Sequence, residues 1–219
     1  MMVRAYVKPT TVTLNTLMDG YYLANEVNNA KYVFNAMTQM GVNPDVRSYN
    51  IMINGSCKRE NVDEAMNLFQ EMHERNMVCN TVTYNSLIDG LGKSGRISDV
   101  WTLFYEMHDR NQQPNLITYN SLLDALCKNH HLDKANELFR KMTEKGIQPN
   151  TYTYTVMIDG LCKEGLLNEA LSLWSKMEDN GCMPDAVTFT IMIFALFEKD
   201  ETDKAEKFVR EMIARGLLK

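Results

Sequence analysis

A side chain with an amide or a hydroxyl group recurs every 35 residues along the chain, at Asn15, Asn50, Asn85, Asn120, Thr155 and Thr190. Each stands in an otherwise apolar run, and neither asparagine nor threonine is a strong helix former. A local cap-like hydrogen bond would explain one or two of these residues. The restriction to Asn or Thr at every position instead favours a function in which these groups recognise a ligand by hydrogen bonding.

Lysine recurs at the same interval, at Lys58, Lys93, Lys128 and Lys163. Asn85, Asp89 and Lys93 are four residues apart and would lie on one face of a helix. The lysines could form Asp–Lys pairs, each contributing about 0.3 kcal/mol to stability. They could also form a row of cations that follows a phosphate backbone. Both interpretations can hold together, and the aspartates would then weaken the positive field.

The cysteines are expected to be structural. Cys57, Cys127 and Cys162 differ by multiples of 35 residues, so they would not converge on a metal, and we expect small buried hydrophobic side chains. Cys79 and Cys182 have no His or Cys at metal-ligand spacing. Five cysteines, an odd number, indicate reduced thiols rather than a disulfide framework.

The histidines and carboxylates also suggest no chemistry. We expect His73 and His108 to face solvent, and His130 and His131 to lie in a turn between helices. The repeated carboxylates form a capping and surface pattern rather than an acid/base pair. We therefore predict that the chain is not an enzyme, with no catalytic residue, metal site, cofactor or small-molecule substrate.

Composition predicts an ordinary globular protein. The chain has 219 residues, of which 45% are hydrophobic and 23% charged, and no apolar run is long enough to span a membrane. A formal net charge of −5 argues against indiscriminate binding to polyanions. The N-terminal residues MMVRAYVKPT contain no secretory or transit-like segment. Either the protein is not targeted or this chain lacks its natural start.

The period of 35 residues extends along the whole chain without insertion or deletion. The separations of all five prolines are multiples of 35, and methionine keeps one register at Met2, Met37, Met72, Met107, Met142, Met177 and Met212. The sequence therefore divides into repeats 1 to 6, which are residues 11–45, 46–80, 81–115, 116–150, 151–185 and 186–219. Residues 1–10 are the tail of a preceding repeat, so we expect a fragment of a longer array or a truncated product.

Each repeat is expected to form two helices. The third residue is always a hydroxyl and is predicted to cap the first helix, at Thr13, Ser48, Thr83, Thr118, Thr153 and Thr188. The eighteenth residue is predicted to cap the second helix, at Asn28, Asp63, Ser98, Asp133, Asn168 and Asp203. Residues that tolerate positive φ would end the second helix, at Gly41, Asn76, Asn111, Gly146, Gly181 and Gly216. Helices this short bury their apolar stripes only by stacking on neighbouring pairs, which predicts an all-α solenoid.

Repeat 3, TVTYNSLIDGLGKSGRISDVWTLFYEMHDRNQQPN, resembles a pentatricopeptide repeat, and so does repeat 4. The shared features are the 35-residue period, the TYN opening, the LCK end of the first helix, the A..LF..M second helix and the closing G..P. Tetratricopeptide repeats have 34 residues and a Trp/Gly/Tyr pattern that this chain lacks. The resemblance implies a right-handed α-solenoid superhelix of stacked antiparallel helix pairs. The pure-repeat class, to which this chain is similar, is common in plant mitochondria and chloroplasts.

The resemblance also implies binding of single-stranded RNA, with one base read by each repeat. In the family, the fifth residue and the last residue of a repeat face the base edge. Asn15 with Asp45 is the combination associated with uracil, and Thr155 with Asp185 is the guanine combination. The pyrimidine combination, cytosine first, is present in Asn50 with Asn80, Asn85 with Asn115, and Asn120 with Asn150. Thr190 suggests a purine, which gives the expected target 5′-U-Y-Y-Y-G-R.

The second residue of each repeat is expected to wedge between successive bases, namely Val12, Arg47, Val82, Ile117, Tyr152 and Val187. Tyr152 and Arg47 depart from the aliphatic pattern, so Tyr152 could stack on a base and Arg47 could stack or contact phosphate. The four recurring lysines would contact phosphate. A scaffold for protein–protein interaction remains the alternative function, since solenoids present concave surfaces to many partners.

Overall fold

The computed structural model describes residues 8–218, all of whose regular structure is helical. Each repeat contributes two helices, as expected. The elements in chain order are α1 (Thr11–Leu23), α2 (Val27–Met37), α3 (Val46–Lys58), α4 (Val62–Glu74), α5 (Thr81–Lys93), α6 (Ile97–Asp109), α7 (Leu116–Lys128), α8 (Leu132–Glu144), α9 (Thr151–Lys163), α10 (Leu167–Asp179), α11 (Ala186–Glu198) and α12 (Thr202–Ala214). None of these helices is long and apolar enough to cross a membrane.

The first helix of each repeat begins at the first residue of the repeat, so the prediction that the third residue is its N-cap is wrong. The cap is instead the last residue of the preceding repeat. Asp45, whose backbone is extended, accepts a hydrogen bond from the Ser48 backbone N–H at 2.8 Å, and Ser48 Oγ accepts from the Asp45 N–H at 3.1 Å. This reciprocal capping box satisfies two otherwise unpaired amides, which explains why the hydroxyl lies three residues inside the cap.

The second helix of each repeat also begins earlier than predicted. It starts at the seventeenth residue, so the eighteenth lies in the first turn and is not the N-cap. The reason is the preceding turn, where the fifteenth residue has positive φ and leaves a single residue before the next helix. Asp63 and Asp133 therefore act as first-turn acidic residues, which favour the helix N-terminus electrostatically.

The predicted end of the second helix is confirmed. A residue with positive φ lies two residues after the second helix in repeats 2 to 6 and four residues after it in repeat 1, at Gly41, Asn76, Asn111, Gly146, Gly181 and Gly216. The turn between the two helices uses the same conformation, at Asn25, Glu60, Gly95, His130, Gly165 and Asp200. These residues share the left-handed backbone conformation, which stops a helix and lets the chain reverse direction.

Within the described part of the chain, the helices form two compact units, one of residues 8–94 and 101–113 and the other of residues 95–100 and 114–218. In the first unit, α1 packs against α2 and α3, and α3 packs against α4 and α5. In the second unit, α9 packs against α7, α10 and α11, and α11 also packs against α12. Each unit therefore stacks successive first helices side by side, with the second helices packed against them.

The apolar stripes form the core of each unit. Methionines of the shared register are buried, at Met37, Met72, Met107, Met142, Met177 and Met212, whereas Met2 lies outside the described residues. The fourth residue of repeats 2 and 3 is a fully buried tyrosine, Tyr49 and Tyr84 respectively. Its hydroxyl reaches the edge of the core, where Tyr49 donates to Glu71 at 2.8 Å. Burial and that carboxylate raise the pKa of Tyr49 well above its usual value.

The cysteines at the twelfth position are packing residues, as predicted. Cys57 and Cys127 are buried and Cys162 is half-buried, and burial raises the pKa of each thiol to about 12. Cys57 lies against the backbone of α5, where a Cβ added to Gly90 would stand 2.5 Å from its sulfur. Glycine at the tenth position of repeat 3 thus permits close approach of α3 and α5.

One histidine prediction is wrong. His73 is largely buried, with Nδ1 2.9 Å from the Phe69 carbonyl oxygen and Nε2 3.2 Å from a Glu106 carboxylate oxygen. It belongs to a polar edge of the core that also contains the Tyr84 hydroxyl. His108 is exposed, as predicted, and His130 lies in an inter-helix turn.

Candidate nucleic-acid interface

Recurring Asn and Thr side chains connect one repeat to the next at Asn15, Asn50, Asn120 and Thr155. Asn50 Nδ2 donates to Asn80 Oδ1 at 3.1 Å, and Thr83 Oγ1 donates to Asn50 Oδ1 at 2.7 Å. Asn80 caps α5 and Thr83 is the third residue of that helix, so Asn50 on α3 joins the capping box of α5. The fifth residue therefore has a structural role beyond a local cap, since its partners lie 30 and 33 residues away.

The same arrangement recurs in repeat 1. Asn15 is 1% exposed, donates to Asp45 at 3.1 Å and accepts from the Ser48 hydroxyl at 2.7 Å. Burial tends to raise the pKa of Asp45, but hydrogen bonds from the Ser48 N–H, the Asn15 amide and the Ser48 hydroxyl outweigh this effect and lower the pKa below its ordinary value. Repeat 1 therefore presents a carboxylate beside its amide, where repeat 2 presents a second amide.

The second compact unit repeats the contact with a variation. Asn120 accepts from the Thr153 hydroxyl at 2.7 Å, as in the first unit. Thr155 is also buried, but its Oγ1 lies 2.8 Å from both the Thr151 carbonyl oxygen and Thr188 Oγ1. A hydroxyl thus replaces the amide at the fifth position of repeat 5.

The remaining fifth residues lie in different surroundings. Asn85 on α5 is half-buried. Thr190 on α11 is exposed, and its hydroxyl donates to the Ala186 carbonyl oxygen of its own helix at 2.7 Å. Of the described fifth residues, Thr190 is therefore the most accessible.

The last residue of each complete repeat occupies the N-cap and remains exposed, at Asp45, Asn80, Asn115, Asn150 and Asp185. Each backbone is extended at this point, and each side chain accepts from the backbone N–H three residues later. The cap fixes the direction of the side chain while leaving one edge open to solvent. These residues are therefore held in place and accessible at once.

The second residue of each repeat is exposed although most of these side chains are apolar. Val12, Val82, Ile117, Tyr152 and Val187 are all more than half exposed. Arg47 is also exposed and has Asp19 as an ion-pair partner at 3.6 Å. The exposure of an apolar side chain at the same position of successive repeats makes this position a candidate for ligand contact.

These three sets of residues meet in a groove of the first compact unit. Arg47 and Val82 line it together with Asn50 and Asn80. Arg47 and Val82 are the second residues of repeats 2 and 3, and the amides are the fifth and last residues of repeat 2. The groove can therefore hold a flat group beside side chains that offer both hydrogen-bond donors and acceptors.

The recurring lysines are exposed, and the predicted Asp–Lys pairs are confirmed. Lys93 lies 2.6 Å from Asp89, and the same i,i+4 pairing joins Lys128 to Asp124 at 2.8 Å and Lys163 to Asp159 at 2.5 Å. Exposed pairs of this kind contribute about 0.2–1 kcal/mol. Lys58 differs because Asn54 stands four residues before it, and no ion pair of Lys58 is found within residues 8–218.

Sequence reasoning missed the third residue of each repeat as part of this site. Ser48, Thr83 and Thr153 were expected only to cap helices, yet each hydroxyl also contacts the fifth residue of the repeat before it. The signal that could have found this contact is the co-occurrence of a hydroxyl at the third position with Asn or Asp at the last. No group of His, Cys, Asp or Glu that could hold a metal is found in residues 8–218.

Family models match the chain along almost its whole length. The PPR repeat family model matches residues 9–58, 44–93, 79–128, 114–163 and 156–198. The PPR repeat model matches residues 187–217. No curated protein matches the chain.

Solved structures share the fold. The pentatricopeptide repeat protein PPR10 from maize matches with a TM-score of 0.71 and 28% identity, over 97% of this chain and 30% of that one. PPR10 in complex with an 18-nt psaJ RNA element matches with a TM-score of 0.74 and 22% identity, over 96% and 34%. The PPR domain of Arabidopsis thaliana protein-only RNase P 1, in complex with tRNA, matches with a TM-score of 0.62 and 19% identity, over 76% and 87%. The chain thus spans about a third of the length of PPR10.

Proposed function

Because the chain belongs to the pentatricopeptide repeat family, we propose that it binds single-stranded RNA and reads one base with each repeat. The observation that carries this proposal is the groove in which Arg47 and Val82 flank the amides of Asn50 and Asn80. A base inserted there would stack against the flanking side chains and present its edge to the amides. Stacking on such side chains tolerates any base, so the amides would supply the discrimination.

The proposed target is 5′-U-Y-Y-Y-G-R. Its first and fifth bases depend on the two repeats that end in a carboxylate, Asn15 with Asp45 for uracil and Thr155 with Asp185 for guanine. The three pyrimidines correspond to the pairs of asparagines, Asn50 with Asn80, Asn85 with Asn115, and Asn120 with Asn150. The purine at the sixth base corresponds to Thr190.

Hydrogen-bond capacity supports a role for the amides in reading bases. In Asn50, one N–H of Nδ2 donates to Asn80 Oδ1, and one lone pair of Oδ1 accepts from the Thr83 hydroxyl. An amide has two N–H groups and two acceptor lone pairs, so one donor and one acceptor remain for a ligand. Asn50 can therefore hold its place in the stack and still recognise a base edge.

Electrostatic attraction is expected to contribute modestly. Three of the four proposed phosphate contacts, Lys93, Lys128 and Lys163, are paired with aspartates. Four contacts would give a slope of log K against log salt of about −3, at about 0.7 per phosphate on single strands. With a formal net charge of −5, the protein would depend on base recognition more than on charge.

We extend the proposal to the biological role. Plant pentatricopeptide proteins suggest the mitochondrion or the chloroplast as the compartment. There the bound protein would take part in RNA processing, in transcript stabilisation or in control of expression. The proposal assigns no catalytic role to any residue of this chain.

The proposal is tested by fluorescence anisotropy with labelled U-C-C-C-G-A RNA and a scrambled RNA of equal composition. We expect the designed sequence to bind at least about tenfold more tightly, which is about 1.4 kcal/mol. Equal affinities would contradict sequence recognition. Absence of binding to either RNA would contradict the proposal as a whole and favour a protein-interaction scaffold.

A further inference from the structure

We propose that the hydroxyl at the third position of repeats 2, 3 and 5 positions the base-reading amide of the repeat before it. This inference rests on the RNA binding proposed above and adds a determinant of specificity that need not touch the base. The residues are Ser48, Thr83 and Thr153, which contact Asn15, Asn50 and Asn120 respectively.

The contact is short, buried and repeated. The three hydroxyl oxygens each lie 2.7 Å from an asparagine Oδ1. Ser48, Thr83 and Thr153 are all 0% exposed. Because water does not reach these hydroxyls, an asparagine Oδ1 that lost its partner would be left poorly satisfied.

The protons at Thr83 can be assigned from its surroundings. Its Oγ1 accepts from the Asn80 backbone N–H at 3.2 Å, so its single proton is free to be donated. The nearest acceptor is Asn50 Oδ1 at 2.7 Å, with Asn80 Oδ1 farther away at 3.2 Å. The hydroxyl therefore donates to Asn50.

Asn80 fixes the other half of the Asn50 amide. Asn80 Oδ1 accepts from the Thr83 backbone N–H at 3.1 Å, so it acts as an acceptor and must face a donor. That donor is Asn50 Nδ2 at 3.1 Å. With its oxygen held by a hydroxyl and its nitrogen by an acceptor, the amide of Asn50 has one orientation.

Amide orientation matters because a rotation by 180° exchanges donor and acceptor. A base edge that matches the fixed orientation would face donor against donor and acceptor against acceptor if the amide were rotated. In repeat 1 the carboxylate of Asp45 can only accept, so Asn15 Nδ2 must face it and Oδ1 must face Ser48. The orientation of the reading amide is thus set by the third residue of the next repeat as well as by the last residue of its own.

Thr83→Val tests the inference, because valine keeps the shape of threonine and removes the donor. Thr83→Ser restores the hydroxyl. Thr13→Val is the matched control, since Thr13 forms the same capping box with Thr10 and contacts no fifth residue within residues 8–218. Each full-length variant is titrated with U-C-C-C-G-A and with RNAs in which only the second or only the fourth base is changed to adenine.

We expect Thr83→Val to lower discrimination at the second base about fivefold, which is about 1 kcal/mol, while discrimination at the fourth base stays unchanged. Thr83→Ser should recover the original preference, and Thr13→Val should lose stability without changing any base preference. Thr153→Val supplies an independent measurement, because it should lower discrimination at the fourth base only.

The outcomes separate this inference from the proposed function. If the unmodified chain discriminates at both bases and both valine variants keep that discrimination, the positioning role is contradicted and RNA recognition stands. A uniform loss at every base would also contradict it, because a purely structural hydroxyl would act in this way. If the unmodified chain discriminates at neither base, RNA recognition itself has failed.

Discussion

Replacing Asn50 by alanine should destabilise the first compact unit, because its side chain connects α3 to α5. The substitution removes two hydrogen bonds, from Asn50 Nδ2 to Asn80 and from Thr83 to Asn50 Oδ1. At about 1 kcal/mol for each bond, the loss is about 2 kcal/mol. Thr83 can redirect its proton to Asn80 Oδ1, 3.2 Å away, so no buried donor is left without a partner.

Helix propensity offsets part of this loss. Alanine is favoured over asparagine in a helix by about 0.5 kcal/mol, which leaves a net decrease of about 1.5 kcal/mol in the free energy of unfolding. Thr190→Ala is the matched control, because Thr190 occupies the same position in repeat 6 but is exposed and bonds only to its own helix. That variant should change stability by less than about 0.5 kcal/mol.

The assay is urea unfolding followed by circular dichroism, with a check that two probes give the same transition, since repeat proteins can unfold in parts. Hydrogen exchange of the α3 and α5 amides localises the effect. A double-mutant cycle with Thr83→Val should give a coupling energy of about 1 kcal/mol. Equal stability of the Asn50→Ala and Thr190→Ala variants would refute the structural role of the fifth residue.

Three further predictions follow from packing and charge. Gly90→Ala should lower the free energy of unfolding, because the new Cβ would lie 2.5 Å from the Cys57 sulfur. Gly20→Ala should raise the free energy of unfolding by about 1 kcal/mol, because a Cβ added there would meet nothing within 4 Å and alanine is the better helix former. In the native protein at pH 8, the three cysteines at the twelfth position should react slowly with iodoacetamide, since thiols with a pKa of about 12 are almost fully protonated at that pH. Unfolding in urea should expose these thiols and make them react. Rapid labelling of the native protein would contradict their burial. The pKa of Asp45 is lowered in the folded state, so its contribution to stability is present above its ordinary pKa of about 3.9 and is lost as the pH falls. Asp45→Asn should therefore lose less stability than the unmodified protein between pH 6 and 3, and identical losses would contradict this account.

The helix pairs, their ends and the core methionines could be predicted because each depends on local patterns repeated at one interval. The starts of the helices could not be placed correctly, since both Asp45 and Ser48 are good capping residues and the sequence does not show which one precedes the helix. The structure resolves this point because the two residues cap each other.

The contacts of the fifth residues also could not be predicted from local sequence patterns. Asn50 has its partners 30 and 33 residues further along the chain, and they approach it only when α3 and α5 stack. The burial of His73 has the same origin, because the Glu106 carboxylate beside it belongs to the next repeat. Periodicity thus predicts the elements and the register of the candidate site, while the stacking of repeats determines which side chains meet.

The central claim is that the fifth and last residues of each repeat select the base, and Thr155→Asn tests it most directly. Thr155 lies beside Thr188 as Asn15 lies beside Ser48, so an asparagine there can form the same contacts and, with Asp185, recreate the pair of repeat 1. The measurement is the affinity of the full chain for U-C-C-C-G-A and U-C-C-C-U-A RNA before and after the substitution.

The account predicts that the unmodified protein prefers guanine at the fifth base and that the variant prefers uracil, with each preference about tenfold, or about 1.4 kcal/mol. Preferences at the other bases should stay the same. An unchanged preference at the fifth base in a folded variant would show that Thr155 only joins one repeat to the next, and it would contradict the account.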